Sequence, residues 1–292
     1  MNASQVAAEI AAEVRGKSRG FYREIRGAIA IKIPREDFVL MPAACIHWPL
    51  TDKALFKEWV ARVRKRKALV FLVGDTFDFA RSHYRRHQKA YQDDESSPEA
   101  IDAWHESDIR ELAKLLEPIK GQILGVVRGN HFHSFQDGTD SEQHLCRILG
   151  VRYMGVESAV RLDMGDESMV VYLHHDGGSG GTTMGGDVNG LLKAAGVVNP
   201  DVIICAHTHK AYGFKEPQHE VSRTGDPVIV ARDRAFIRAG CFKSHSEPTA
   251  PSSLTAYIPN YRAVRAYRPI NDGWVELEVE FRPQGRRLWV RS

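Results

Sequence analysis

Five pairs of polar residues stand where apolar runs of this chain stop. Cys45 closes FVLMPAAC and His47 follows it; Asp75 and Asp78 lie in GDTFD after ALVFLV; Asn130 and His131 lie in GNH after QILGVVR. His174 and His175 end SMVVYLHH, and His207 and His209 lie in AHTH after DVIIC. Imidazole, carboxylate and thiolate are the ligand types of divalent transition metals. Singly, each group is bland: a histidine at a strand end is usually a hydrogen-bonded structural residue, and a GD pair is usually a turn. Burying all of them without partners would cost several kcal/mol per charge. Shared cations relieve that cost, and recurrence at five successive strand ends points to a metal centre.

The elements that must position these groups alternate. FVLMPAAC, ALFKEWVARVRKRK and ALVFLVGD read as strand, helix, strand, long enough for a parallel crossover. The helix IRELAKLLEPI precedes the strand QILGVVRGN; a helix near SEQHLCRILG, the strand SMVVYLHH, the helix VNGLLKAAG and the strand DVIICAH follow. Beyond residue 211 the text turns β-rich, with VIVARDRAFI, LTAYI and WVELEVEF. The fold class expected is α/β, two packed sheets flanked by helices. In open α/β sheets ligands bind outside the carboxyl ends of the strands, so the five groups share one rim. Residues 1–36 read as an N-terminal helical extension, with Val6, Ile10 and Val14 four apart. Residues 37–292 read as one domain whose last part, 211–292, is β-rich. Within it, the polar segment 79–108 reads as a helical insertion or cap over the mouth of the fold, or else as a solvated excursion.

A chain of 292 residues, 43% hydrophobic and 26% charged, excludes disorder, a collagen-like repeat and a disulfide-stapled miniprotein. The net charge of +3 leaves nucleic-acid binding to local patches. The candidates are ARVRKRK (61–67), which also reads as a solvated helix end, and RSHYRRHQK (81–89), where Tyr84 offers a stacking ring. The four cysteines include no CxxC pair, which suits a reducing cytoplasm. Glu9 and Glu13 interrupt any secretory apolar region, and no apolar run approaches the ~18 residues of a membrane helix. A cytoplasmic protein without a membrane partner is expected; nothing in the sequence speaks to its oligomeric state.

The ordered series GDxxD (Gly74, Asp75, Asp78), GNH (Gly129, Asn130, His131), a strand-end histidine and xHxH (His207, His209) resembles the calcineurin-like metallophosphoesterases of bacterial or phage type, over residues 38–210. The resemblance implies a β-sandwich flanked by helices. It also implies two divalent transition-metal ions (Mn, Fe or Zn first, with Ni or Co suited) and a bridging hydroxide that attacks phosphorus. It makes Asp75 the bridging ligand, its two oxygens spanning ions ~3.5–4 Å apart. Asn130, His174 and His207 would complete one site, and His47 and His209 the other. His131 becomes the acid at the leaving group and Asp78 its orienting partner, although Asp78 also reads as a helix N-cap.

The chain departs from the family in three places, one of them GNHFH, which lacks the acidic residue common after GNH and leaves His133 without an assigned role. Where the family has DxH, it has Cys45-Ile46-His47. Cys45 either binds as a thiolate, at ~2.3 Å to Zn, or is a small buried strand residue beside a weakened site. At the strand-end pair, His174 is the expected ligand and His175 faces substrate or bonds the next loop. Phe79 replaces the arginine that clamps phosphate in the family's protein phosphatases, leaving Arg81, Arg85 or Arg86 as substitutes. The glycine-rich loop Asp176–Gly190 reads as a substrate-contacting lid offering Ser179, Thr182 and Thr183, or as a flexible connection. The function expected is hydrolysis of nucleotide or nucleic-acid phosphodiesters. A phosphomonoesterase and a non-catalytic scaffold of the same fold are the alternatives.

Overall fold

The computed structural model describes residues 28–79, 98–177, 184–196, 198–221, 227–243, 273–282 and 285–291. Its elements in chain order are β1 (Ala28–Lys32), β2 (Phe38–Leu40), α1 (Lys53–Arg66), β3 (Val70–Val73), α2 (Pro98–Leu116), β4 (Ile123–Val127), α3 (Ser141–Leu149), β5 (Glu157–Met164), β6 (Glu167–His174), α4 (Met184–Ala195), β7 (Val202–Cys205), β8 (Ala211–Val221), β9 (Ile229–Ala239), β10 (Glu276–Arg282) and β11 (Gly285–Arg291). A 3-10 turn, Glu117–Gln122, joins α2 to β4.

One sheet runs β1-β5-β6-β7-β9-β8, with β6, β7 and β9 parallel. A second, composite sheet sets the antiparallel β11-β10-β2 beside the parallel β3-β4, joined through the bridges Leu40 to Leu69 and Ala43 to Leu72. The two sheets face one another. Val171, Leu173, Val202 and Ile204 from the first pack with Phe71, Val73, Val127, Leu277 and Val279 from the second. Because strand side chains alternate, the other faces need separate cover. Tyr172, Ile203 and Phe236 pack under Leu191 and Ala195 of α4. Val70, Leu72 and Val126 pack under Phe56, Trp59, Ile109, Leu112 and Leu145 of α1, α2 and α3. The result is four layers, helices outside and sheets inside. Coverage on both faces explains why VFLV and VIIC are unbroken apolar runs, buried at every position.

Local chemistry fixes the helices. Asp52 caps α1 by accepting the N–H groups of Ala54 and Leu55, each at 3.0 Å. Asp140 and Gln143 form a reciprocal capping box on α3, and Gly150 closes that helix in the left-handed conformation. The basic run at the end of α1 faces acids on β10: Arg62 Nε donates to Glu276 Oε1 at 2.8 Å, and Arg66 pairs with Glu278. These cations staple a helix to a sheet.

The structure corrects three expectations. Residues 28–32, assigned to a helical extension, form strand β1, paired in parallel with β5 at the sheet edge. Residues 1–27 lie outside the described residues. The segment 79–108 and the helix expected after it are not separate: α2 runs unbroken from Pro98, because Ile109, Leu112 and Leu116 continue the buried stripe begun at His105. Residues 80–97 lie outside the described residues, as does LTAYI. The strand β5 was not anticipated; its apolar residues alternate with Glu157, Arg161 and Asp163, and its hairpin with β6 turns at Gly165. Among the described residues no helix is long and apolar enough to cross a membrane.

Two buried polar groups make the fold testable. Arg238 and Asp187 are both fully buried and pair at 3.0 Å, and Arg238 also donates to the carbonyls of Gly177 and Ala206. Removing Arg238 leaves the buried Asp187 carboxylate with only the Tyr212 hydroxyl at 2.8 Å and Lys210 Nζ at 3.5 Å, both on Oδ2. Arg238→Met is expected to lower unfolding stability by about 3–5 kcal/mol, and Arg238→Met/Asp187→Leu to recover most of it, as read by urea denaturation. Glu142 is buried, and burial first, then Asp140, pushes its carboxyl up to about 8 despite a bond from Ser141. The folded state therefore holds this proton while the unfolded chain releases it, so stability is lost as pH rises from the ordinary carboxylate range towards 8. Glu142→Gln should gain on wild type between pH 5 and pH 8 in melting temperature, with little difference at pH 5.

Candidate metal centre

Seven non-glycine residues among those described have positive φ, and five of them are strand-end groups: Cys45 (48°), His47 (55°), Asp75 (48°), His207 (67°) and His209 (59°). Each such residue costs of order 1–3 kcal/mol and persists only where its surroundings over-determine it. Backbone bonds do that here. Cys45 N–H donates to Gly74 O at 3.0 Å, His47 N–H to Asp75 O at 2.9 Å, and Ala206 N–H to His175 O at 3.0 Å. At three of the five strand ends, those of Cys45 and His47, Asp75, and His207 and His209, the chain takes a left-handed step.

Asp75 is that centre. Its Oδ1 accepts the backbone N–H groups of Asn130 (2.8 Å) and His131 (3.0 Å). Its Oδ2 faces His175 Nε2 at 2.9 Å, His47 Nε2 at 3.9 Å and His131 Nε2 at 4.0 Å. Two glycines permit this approach. A Cβ on Gly129 would stand 2.1 Å from Asp75 Oδ1, and one on Gly74 would stand 2.5 Å from the His175 ring. The amides engage Oδ1, which leaves Oδ2 as the oxygen that faces the histidines.

Ligand atoms converge in overlapping groups. Cys45, His47 and His209 form one, and Cys45, Asp75 and His175 another, each with its atoms within 4.8 Å of one another. His47 Nε2 and His209 Nε2 lie 3.0 Å apart. On the far side of Asp75, Asn130 Oδ1 lies 3.1 Å from His207 Nδ1, and the His207 and His175 rings are 5.3 Å apart. His175 Nδ1 donates to Val73 O at 2.9 Å, which turns Nε2 towards Asp75. In the interior His175 Nε2 faces Asp75 Oδ2 at 2.9 Å, and His47 Nδ1 faces Asp78 Oδ1 at 3.8 Å. Nitrogen lone pairs aimed at a buried carboxylate suit a cation between them, so the donor set fits divalent metals.

The charge states divide: against the burial that lowers it, Asp75 raises His175 and favours its imidazolium, whereas His47 behaves as a ligand should. Burial, assisted by Lys243, lowers His47 to about 4 against the pull of Asp78 and Asp75, so its imidazole is neutral, the ligand form. Burial pushes Asp75 up, but the histidines around it, His175 foremost, outweigh this and hold it well below the usual carboxylate range. Asp78 behaves likewise, with burial outweighed by His131, His47 and Lys243. His131 Nδ1 lies 2.7 Å from Asp78 Oδ1, and Lys243 Nζ donates to Asp78 Oδ2 at 2.8 Å.

Of the residues singled out in the sequence, Cys45, His47, Asp75, Asp78, Asn130, His131, His175, His207 and His209 gather here. His174 does not. The pleat turns it with Tyr172 towards α4, its ring 6.3 Å from Tyr172, where a Cβ on Gly177 would touch both His174 and Cys205. His175 takes the inward position instead. Phe79 packs in parallel on Phe77, 4.9 Å away. His133, left without a role by the sequence, lies 2.7 Å from Asp102 of α2 and ties that helix to the GNH loop. Arg81, Arg85, Arg86, Ser179, Thr182 and Thr183 lie outside the described residues. Lys243 was missed; no motif marks it, and it is far in sequence from every group it serves.

No family model matches the chain, and no curated protein matches it. Among solved structures, a conserved uncharacterized protein of Streptococcus pneumoniae, described as a predicted phosphoesterase, matches at 12% identity over 87% of this chain and 98% of that one, with a TM-score of 0.34. Vacuolar protein sorting 29 of Cryptosporidium parvum matches at 15% identity over 88% and 97%, TM-score 0.37. Wild-type Vps29 of Entamoeba histolytica complexed with zinc matches at 12% over 87% and 98%, TM-score 0.36. Likenesses at this level say nothing of what the present chain binds or does.

Replacing one histidine at a time separates the neighbours. His175→Ala is expected to lose bound Zn2+ by plasma mass spectrometry, whereas His174→Ala keeps the wild-type content. Cys45→Ser is expected to lose metal as well; unchanged content there would make Cys45 a packing residue.

Proposed function

We propose that the chain is a binuclear metal-dependent phosphoesterase of the calcineurin-like kind, hydrolysing phosphodiesters, with nucleotides and nucleic acids among the substrates it suits. The observation that carries this reading is that Cys45, Asp75 and His175 form one candidate ligand group and Cys45, His47 and His209 another, with His47 and His175 both facing Asp75 Oδ2. Cys45, His47 and His209 would hold one ion, Asn130, His175 and His207 the other, and Asp75 Oδ2 both. Two divalent cations bound there would supply hydroxide at neutral pH and polarise a phosphoryl oxygen.

The remaining steps belong to side chains. Asp78 Oδ1 accepts the Nδ1–H of His131, and from the imidazolium the Nε2–H would pass to the departing ester oxygen, leaving the neutral Nδ1–H ring. The Asn130 and His131 amides hold the Asp75 carboxylate in one orientation throughout. Thiolate and imidazole ligands favour Zn or Fe over Mg. Phe79, buried against Phe77 where a phosphate-clamping arginine would stand, favours a diester over the dianionic monoester. A reducing cytoplasm keeps Cys45 a free thiol and is the compartment this reading calls for.

Metal-loaded protein should hydrolyse bis-p-nitrophenyl phosphate faster than p-nitrophenyl phosphate. Asp75→Asn should lower kcat/KM for the diester by about a thousandfold, equivalent to ~4 kcal/mol. Preference for the monoester would reverse the substrate assignment, and hydrolysis of neither by a metal-replete protein would remove the enzyme reading.

A further inference from the structure

We propose that Lys243 is a positioning residue for His131, acting through Asp78; the inference rests on the phosphoesterase reading and deepens it. The Asp78 side chain has no solvent exposure, and its oxygens are divided between partners of different kinds. Oδ1 lies 2.7 Å from His131 Nδ1 and 3.8 Å from His47 Nδ1, while Oδ2 accepts from Lys243 Nζ at 2.8 Å. A carboxylate with one engaged oxygen can rotate about its Cβ–Cγ bond and present either oxygen to the imidazole. With an ammonium fixed on Oδ2, only Oδ1 serves His131: Nδ1–H stays on Asp78 and Nε2 faces the site, so that the imidazolium's Nε2–H passes to the leaving oxygen and the neutral Nδ1–H tautomer remains.

The ammonium itself is anchored. Lys243 pairs with Thr51 in an antiparallel bridge, and Asp52 N–H donates to Phe242 O at 2.7 Å. Phe242 N–H donates to Cys45 O at 3.1 Å, and Lys243 N–H to Cys241 Sγ at 3.3 Å. The segment 241–243 is thus sewn to the loop that presents Cys45 and His47. The cation that orients the acid and the backbone that presents the ligands move as one body. An ion pair that merely neutralised a buried charge would have no need of this placement, and its loss would slow every substrate alike.

The test uses full-length, Zn-loaded wild type, Lys243→Met and Lys243→Arg, with aryl methyl phosphates whose leaving groups run from p-nitrophenol to phenol. A good leaving group departs without a proton, and a poor one needs it. Lys243→Met is expected to lower kcat about tenfold for the phenyl ester and less than about twofold for the p-nitrophenyl ester, with KM little changed and metal content intact. Lys243→Arg should restore most of the loss. In proteins carrying 15N-labelled histidine, the His131 ring should show one Nδ1–H tautomer in wild type and Lys243→Arg, and lose that preference in Lys243→Met. Equal slowing across all leaving groups, or an unchanged His131 ring signal, overturns the proposal. Wild type that hydrolyses no ester overturns the phosphoesterase reading instead, and the ring signal then decides the role of Lys243 by itself.

Discussion

The centre of this molecule depends on how one buried carboxylate is divided. Asp75 keeps its charge in a water-poor interior because His175 first, then His47 and His131, outweigh its burial, while two backbone amides bind Oδ1 and leave Oδ2 as a fixed acceptor. A carboxylate in such surroundings, with no donors, would take up a proton. The amides are those of Asn130 and His131, so the residues that fix the carboxylate's orientation are also the proposed ligand and the proposed acid. Gly129 must be glycine for this contact to exist, since any Cβ would occupy the space of the Asp75 carboxylate.

The strained steps at Cys45, His47, Asp75, His207 and His209 follow from the same requirement. A strand delivers its last side chain above or below the sheet, never along its axis, and a centre beyond the strand ends needs side chains along that axis. Left-handed residues make the turn in one step. Each is unfavourable in isolation, and five together would unravel a small fold. They hold because they hang from strands buried on both faces, and because Arg238 and Asp187 lock the start of α4 and the carbonyls of Gly177 and Ala206 beneath the His207 step.

How much of this the sequence disclosed depends on the kind of signal. Strand-end placement of polar residues was legible because the strands are unbroken apolar runs and their ends are abrupt; all five groups contribute a residue to the centre. The choice between His174 and His175 was not legible. In a strand covered on both faces, Tyr172 and Leu173 are equally buried, so no alternation of polarity reports which face looks inward. Strand β1 was hidden because AIAIK follows a stretch with helical spacing, and its pairing with β5 is a long-range fact. Lys243 was hidden more deeply, for a lone lysine acquires meaning only when the fold carries it to a carboxylate 165 positions away.

Cys45 then takes on a physical sense. Its sulfur belongs both to the group with His47 and His209 and to the group with Asp75 and His175. A carboxylate at this position would set a second negative charge beside Asp75 in the same buried space, and like charges there drive one of them to bind a proton. A thiol is neutral until a cation draws off its proton, so the folded chain carries one fewer buried charge before metal arrives. The exchange has a consequence for selectivity. Hard ions such as Mg2+ gain little from sulfur, whereas Zn2+ and Fe2+ bind it well, so under the proposed reading a thiol that eases folding would also narrow the set of metals held there.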